Sequence, residues 1–337
     1  MRFIRQSEIP AYDQWDKLPK ALQGLDTRIV HISPDGDFTD MYGGVNAGRQ
    51  GVQLSEDIEG EHHWPFELLL TEGAYELGAT VERANILKRE INFTVSIGGK
   101  GVPFNNFQYR MAEDRWFRGQ DENRDGWLGI YTRFSGWRWI RVRPAQTVGG
   151  SQKRDPVAFG NNFAKWPMKW LAQKPYYSKP SIWATWQNNP ATAAQFGGDG
   201  EGIIVLPNRG DLESYTQFIV PPGRCWVEDG DSGRMVELPL IAPSDGYVLV
   251  DTDPKERTLT ASNDPVDNIF YQIARRSKIL DFLLHDLAAT GEPVWKRFDK
   301  RFQASVPSRH VAQIRVKHSN PNAKITAILP QRYKRSR

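Results

Sequence analysis

From Arg89 to Gly99 the chain alternates almost without fault, with Ile91, Phe93, Val95 and Ile97 on one side and polar residues between them. A period of two places these four side chains on one face of an extended strand, and a helix would scatter them. Other runs repeat the signal. Arg28 to Ile32 reads as a strand, followed by a Pro34–Gly36 turn and a second short strand. Trp127 to Thr132 and Trp137 to Arg143 read as a hairpin around Ser135-Gly136, with Trp137, Trp139, Arg141 and Arg143 on one face and Arg138, Ile140 and Val142 on the other. Glu67 to Tyr75 and Ala79 to Val81 are further short runs. Twelve Trp with many Gly and Pro agree with a turn-rich, all-β chain carrying one or two helices.

A second set of strands follows a change of composition between Thr147 and Lys165, where Gly, Ser, Asn and charge dominate. At 337 residues the chain fits two domains of about 150 each, and either could bury roughly two thirds of its surface without disulfides. We read residues 1–155 as one domain and 156–337 as another. In the second, Ile203 to Leu206 and Tyr215 to Val220 flank Pro207, Asn208 and Gly210, so the segment reads as a β-hairpin with Gly210 at positive φ. Cys225 to Glu228, Met235 to Leu240 and Tyr247 to Thr252 are strand-like, and Val311 to Val316 and Ala323 to Leu329 are joined by an Asn320-Pro321-Asn322 turn. Two helical stretches stand out. Tyr109 to Arg118 carries Met111 and Trp116, while Asp264 as N-cap and Pro265 precede Val266, Ile269, Phe270 and Ile273 at helical spacing.

Catalytic and metal chemistry find no foothold in the motifs. Asp121 to Gly126 copies the opening of a calcium loop, but the twelfth position is Thr132 where a bidentate Glu is needed. His62 and His63 are adjacent and would point to opposite faces of a strand. The glycine-rich Gly48 to Leu54 lacks the lysine and helix of a phosphate cradle. Cys225 is the single cysteine, which reads as a strand residue rather than a nucleophile and excludes an internal disulfide. No catalytic, cofactor or metal residue is expected, and no cofactor. Met1 to Lys20 has no apolar core of a secretory signal, and ILDFLLHDLAA is too short to span a bilayer, so neither export nor membrane insertion is expected. The net charge of +4 is mixed along the chain except at Arg332 to Arg337, a short basic stretch that reads as solvated. Indoles on a β-sandwich can stack on sugars, so a Trp-rich carbohydrate- or receptor-binding module is the alternative reading, while Trp137 and Trp139 with Arg141 and Arg143 also suit a subunit interface.

Taken in order, these segments resemble the distal tail proteins, or minor tail proteins, of long-tailed phages. The Gly48 to Leu54 loop, Gly78-Ala79, and Arg89-Glu90-Ile91 opening an alternating strand are similar to that family's first domain. Lys174-Pro175-Tyr176-Tyr177-Ser178 is similar to its inter-domain passage, with Lys in place of an acidic residue. Leu206-Pro207-Asn208-Arg209-Gly210-Asp211, the Pro221-Pro222-Gly223 stop, Gly233, Val248 to Thr252 and Ile328 to Tyr333 follow in the family's order. Residues 264–289 and Arg297 to Phe302 look like an insertion.

The resemblance implies a first domain like a tail-tube protein, a β-barrel or sandwich that closes a ring, and a galectin-like β-sandwich as the second. It implies a structural protein of the virion and not an enzyme. The ring, typically a hexamer of the chain with itself, would join the tail tube to the tail-tip or baseplate hub, with DNA only passing through the lumen. Its partners would be the tail-tube and hub proteins, with room for a weak glycan contact. Its place would be the tail tip, after assembly in the host cytoplasm. Met1 to Gly150 is expected to assemble through the Arg89–Gly99 strand and the Trp127–Arg143 hairpin, and Trp166 to Arg337 to stay monomeric.

Overall fold

The computed structural model describes residues 27–44, 46–73, 77–98, 105–148, 155–190, 200–255, 258–261 and 297–337. The expected arm at Met1 to Asp26 and the Asp264 helix lie outside the described residues. Two compact units are present, residues 1–177 with 335–337, and residues 178–334. The division falls later than the change of composition suggests. The strand that follows that change belongs to the first unit.

In the first unit, β1 (Thr27–Ile32), β2 (Phe38–Tyr42), β3 (Val52–Leu54), β6 (Arg89–Ile97), β7 (Gly126–Thr132), β8 (Gly136–Pro144) and β9 (Ala164–Ala172) pair antiparallel in the order β2-β1-β7-β8-β9-β6-β3. β3 returns beside β2, where Gly48 N–H donates to Asp40 O at 2.9 Å, so the row closes on itself as a barrel. β6 and β9 pair over nine residues, Arg89–Ile97 against Ala172–Ala164. Ile91, Phe93, Val95 and Ile97 all face the interior, as their period requires. Ile140 and Val142 of β8 do the same, opposite Leu128 and Gly126 of β7.

The helix α1 (Asn106–Arg118) starts at a reciprocal cap. Asn105 Oδ1 accepts from Gln108 N–H at 2.8 Å, and Gln108 Oε1 accepts from Asn105 N–H at 3.1 Å. Of the residues expected on it, Trp116 is buried and Met111 is exposed. Trp116 closes an aromatic cluster with His31 at 5.4 Å and Trp170 at 6.2 Å between ring centroids, and Phe93 stands edge-on to Trp170 at 4.4 Å. Burial drives the His31 pKa down to about 3, so its ring is neutral in the folded chain.

The second unit is a sandwich of two antiparallel sheets. One runs β11 (Gly200–Pro207), β17 (Val311–His318), β13 (Cys225–Glu228), β14 (Met235–Glu237). The other runs β16 (Leu259–Ala261), β15 (Val248–Asp251), β12 (Gln217–Val220), β18 (Lys324–Tyr333), β10 (Tyr177–Gln187). Ile204, Val227, Ile314 and Val316 from the first sheet meet Phe218, Val250, Ile325 and Ala327 from the second in one core.

One expected hairpin, that around Asn208, is corrected here. β11 and β12 are consecutive in sequence but lie in different sheets, and so do β17 and β18. Each connection is an arch across the sandwich. Its strands carry the same alternation as a hairpin, because both place one face on a shared core. The arch at Asn208 is held by polar bonds, with buried Asn208 Nδ2 donating to the carbonyls of Leu212 at 2.9 Å, Val306 at 3.1 Å and Pro307 at 3.0 Å. Gly210 does not sit at positive φ. It is required for another reason, since a Cβ there would lie 2.5 Å from Arg332 O.

Candidate assembly surface

Two strands of the first unit stand apart from the barrel. β4 (Phe66–Thr71) and β5 (Thr80–Ile86) pair only with each other, and every described residue of β4 is exposed. Phe66 pairs with Ile86, Leu68 with Ala84 and Leu70 with Val81, a bulge after Leu69 absorbing the extra residue on β5. One face of the ribbon is therefore wholly apolar. Its members leave much of their surface in solvent: Phe66 51%, Leu68 43%, Leu70 48%, Val81 55% and Ile86 41%. Glu67, Asn85 and Arg83 occupy the other face with Leu69 and Thr71. An isolated two-stranded ribbon is marginal in water, and full burial of each large apolar side chain would contribute roughly 1.5–3 kcal/mol. Both long edges of this ribbon also carry backbone groups without a strand partner among the described residues.

The base of the ribbon is rigid. Leu87 N–H continues the ladder to Pro65 O at 3.1 Å. Immediately after it, Arg89 is fully buried and its Nη1 donates to the carbonyls of Gly60 at 2.9 Å, Glu61 at 2.8 Å and His63 at 3.0 Å. Its Nε donates to Pro175 O at 2.9 Å, and its guanidinium lies over the Tyr177 ring at 5.0 Å. Desolvation lowers the Arg89 pKa, opposed by Tyr177 and Glu61. The leg entering β4 also lies flat on β6, because Gly60 at φ +76° lets Glu90 O approach to 2.0 Å of where a Cβ would stand. One guanidinium thus joins the leg that enters the ribbon to the leg that leaves it.

The elements that sequence reasoning offered to a neighbour lie elsewhere. The Arg89–Gly99 strand is β6, flanked on both sides by β3 and β9, and β7 is flanked by β1 and β8, so neither presents a free edge. The Trp–Arg face of β8 is spent within the chain. Trp137 stacks on Trp139 at 5.3 Å, Arg141 covers the Trp127 ring at 4.8 Å, and Arg143 Nε reaches Asp125 Oδ1 at 2.7 Å. In the calcium-like loop, Asp121 Oδ2 takes Arg124 Nε at 2.5 Å and the same guanidinium reaches Asp35 Oδ1 at 2.7 Å. Cys225 is fully buried in β13, where desolvation raises its thiol pKa. The basic stretch is not merely solvated, since Arg332 pairs with Asp253 at 3.3 Å and Arg337 with Glu61 at 2.7 Å. Trp183 is the one described tryptophan that is largely exposed, at 69%, so the described indoles form no broad platform for a sugar. Among the described residues no three His, Cys, Asp or Glu side chains gather as metal ligands, and no helix is long and apolar enough to cross a membrane.

No family model and no curated protein matches the chain by sequence. Solved structures do match it in fold. The SPP1 Dit (gp 19.1) protein, described as a paradigm of the hub adsorption apparatus of phages infecting Gram-positive bacteria, superimposes with a TM-score of 0.53 at 11% identity, covering 90% of this chain and 98% of that one. A chain of the phage P2 baseplate in its activated conformation with Ca gives 0.52 at 9% identity, and one from the same baseplate with Sr gives 0.53 at 10%, each over 90% of this chain and 98% of the other. The mainly β, two-unit chain described above has the fold of these hub and baseplate proteins.

Proposed function

We propose that this chain is a structural protein of a long-tailed phage virion, without catalysis of its own, that closes with copies of itself into a ring at the tail tip. The ring, of six copies on this reading, joins the tail tube to the baseplate hub and leaves a lumen for DNA. Assembly takes place in the host cytoplasm before the ring reaches the virion. The observation that carries the reading is the apolar face of the β4–β5 ribbon, which the described residues build and leave in solvent. A closed ring needs one patch of each copy to meet a different patch on the next, and a ribbon reaching out from a rigid base is suited to be the first of these. The shared fold with hub and baseplate proteins supports the tail-tip setting.

The test is the mass of the full chain in solution by light scattering, compared with Leu68→Glu/Leu70→Glu. The unaltered chain should form a closed oligomer, and the double variant should remain monomeric with an unchanged melting temperature, because both side chains are exposed in the monomer. A variant that assembles as well as the parent would overturn the assignment of the ribbon.

A further inference from the structure

The base of the ribbon is fastened by a piece of chain from far away in sequence. After β18 ends at Tyr333, the chain re-enters the first unit, and residues 335–337 lie against the leg that leads into β4. Ser336 is fully buried there, and its N–H donates to His62 O at 3.3 Å. Arg337 Nη2 pairs with Glu61 Oε1 at 2.7 Å, and Glu61 is itself nearly inaccessible to solvent. Arg138 of β8 donates to Arg335 O at 2.8 Å, which ties the same tripeptide to the barrel wall. Glu61 is the meeting point. Its carbonyl accepts from Arg89 at 2.8 Å and from the buried Tyr177 hydroxyl at 2.8 Å, while its carboxylate holds Arg337. Without residues 335–337, the leg 60–64 keeps its hold on Arg89 but loses its outer cover and the cation that faces the Glu61 carboxylate.

We propose that residues 335–337 are a strap that positions the assembly ribbon, so that a chain reaches the competent geometry only once this tripeptide is seated. The strap acts on the direction and rigidity of the ribbon and not on its contacts, which makes Ser336, Arg337 and Glu61 positioning residues. The strap becomes available only after β17 and β18 have been made, so seating it couples completion of the second unit to assembly by the first. This rests on the reading of the β4–β5 ribbon as the assembling element.

The experiment compares the full chain with Ser336→Pro/Arg337→Ala, which removes the N–H and the guanidinium that hold the leg, and with Arg337→Lys, which keeps a cation. Amide hydrogen exchange is followed in 59–71 on monomer at low concentration, and mass by light scattering at high concentration. We expect exchange in 59–64 and in β4 to speed about tenfold or more in the double variant, while that in β6 and β9 is unchanged. The oligomer should form only at about tenfold higher protein concentration, and Arg337→Lys should recover part of both effects. Unchanged exchange in 59–71 would overturn the strap, and so would faster exchange with assembly intact. If the unaltered chain does not assemble at all, the ring reading fails on its own account. The strap then stands or falls by whether the exchange of β4 responds to the double variant. Should the double variant fail to fold, Arg337→Ala alone is read by the same two measurements.

Discussion

Two hairpins of the first unit make an instructive pair. β7–β8 and β4–β5 are both antiparallel ribbons with large apolar residues at alternate positions. In β7–β8 those residues, Leu128, Ile130, Ile140 and Val142, are removed from water almost completely. In β4–β5 their counterparts Phe66, Leu68 and Leu70 remain wet. Local pairing is therefore no guide to where a ribbon's stability comes from. The first is held by its own chain, and the second must draw on something outside it or stay marginal.

That contrast can be broken or sharpened by substitution. The largest difference should appear between Ile140→Ala and Leu70→Ala. The first removes a buried side chain and should cost about 2–5 kcal/mol, whereas the second should change monomer stability by no more than about 0.5 kcal/mol. Thermal unfolding of both variants checks this, and equal losses would mean that β4–β5 has a core of its own. Next comes the link between ribbon and barrel. Arg89→Met should cost about 1–3 kcal/mol by leaving the carbonyls of Gly60, Glu61, His63 and Pro175 short of a donor, with faster amide exchange in β4 than in β8. Denaturant midpoints and exchange read the two parts separately. The smallest effect concerns acid. The unfolded chain protonates His31 below about pH 6.5, but the folded chain resists until about pH 3, so stability is full above that window and falls as pH drops through it. At about pH 5.5 the loss should be on the order of 1 kcal/mol, falling on the barrel side of the comparison, and His31→Leu should flatten the slope. A slope that survives in His31→Leu would assign it to other groups.

Much of the barrel was legible because its strands carry a period that only one arrangement satisfies. Ile91 to Ile97 and Ile140 with Val142 could be placed from the sequence, and so could a helix carrying Trp116, though not its cap at Asn105. The assembling ribbon was not. Phe66 to Leu70 offers three consecutive leucines instead of an alternation, and an uncovered apolar run looks like any core strand until its surroundings are known. The Trp–Arg face was legible as a face but not in its contacts, since its indoles and guanidinium groups also meet each other within the chain. The arch at Asn208 was read as a hairpin because Asn and Gly mark a reversal of the chain and say nothing about which sheet receives the returning strand. Arg89 was visible only as the opening of a strand. Its role depends on carbonyls contributed from residues 60–63 and 175, which no spacing relates.

The topology of the sandwich also sets a clock. β17 lies between β11 and β13 in one sheet, and β18 between β12 and β10 in the other, so the central strand of each sheet is made after both of the strands it joins. Synthesis passes through β10 to β16 before either sheet can close. The barrel strands are all made by the end of β9, and β1–β2 and β7–β8 pair with immediate neighbours in sequence. On the ribosome the barrel strands are complete while the second unit is still a set of strands awaiting their centres, and the ribbon, its base not yet seated by residues 335–337, spends that interval with its apolar face open. A late-arriving centre to each sheet thus makes translation time a hazard for this chain, greatest where ribosomes follow one another closely on a message.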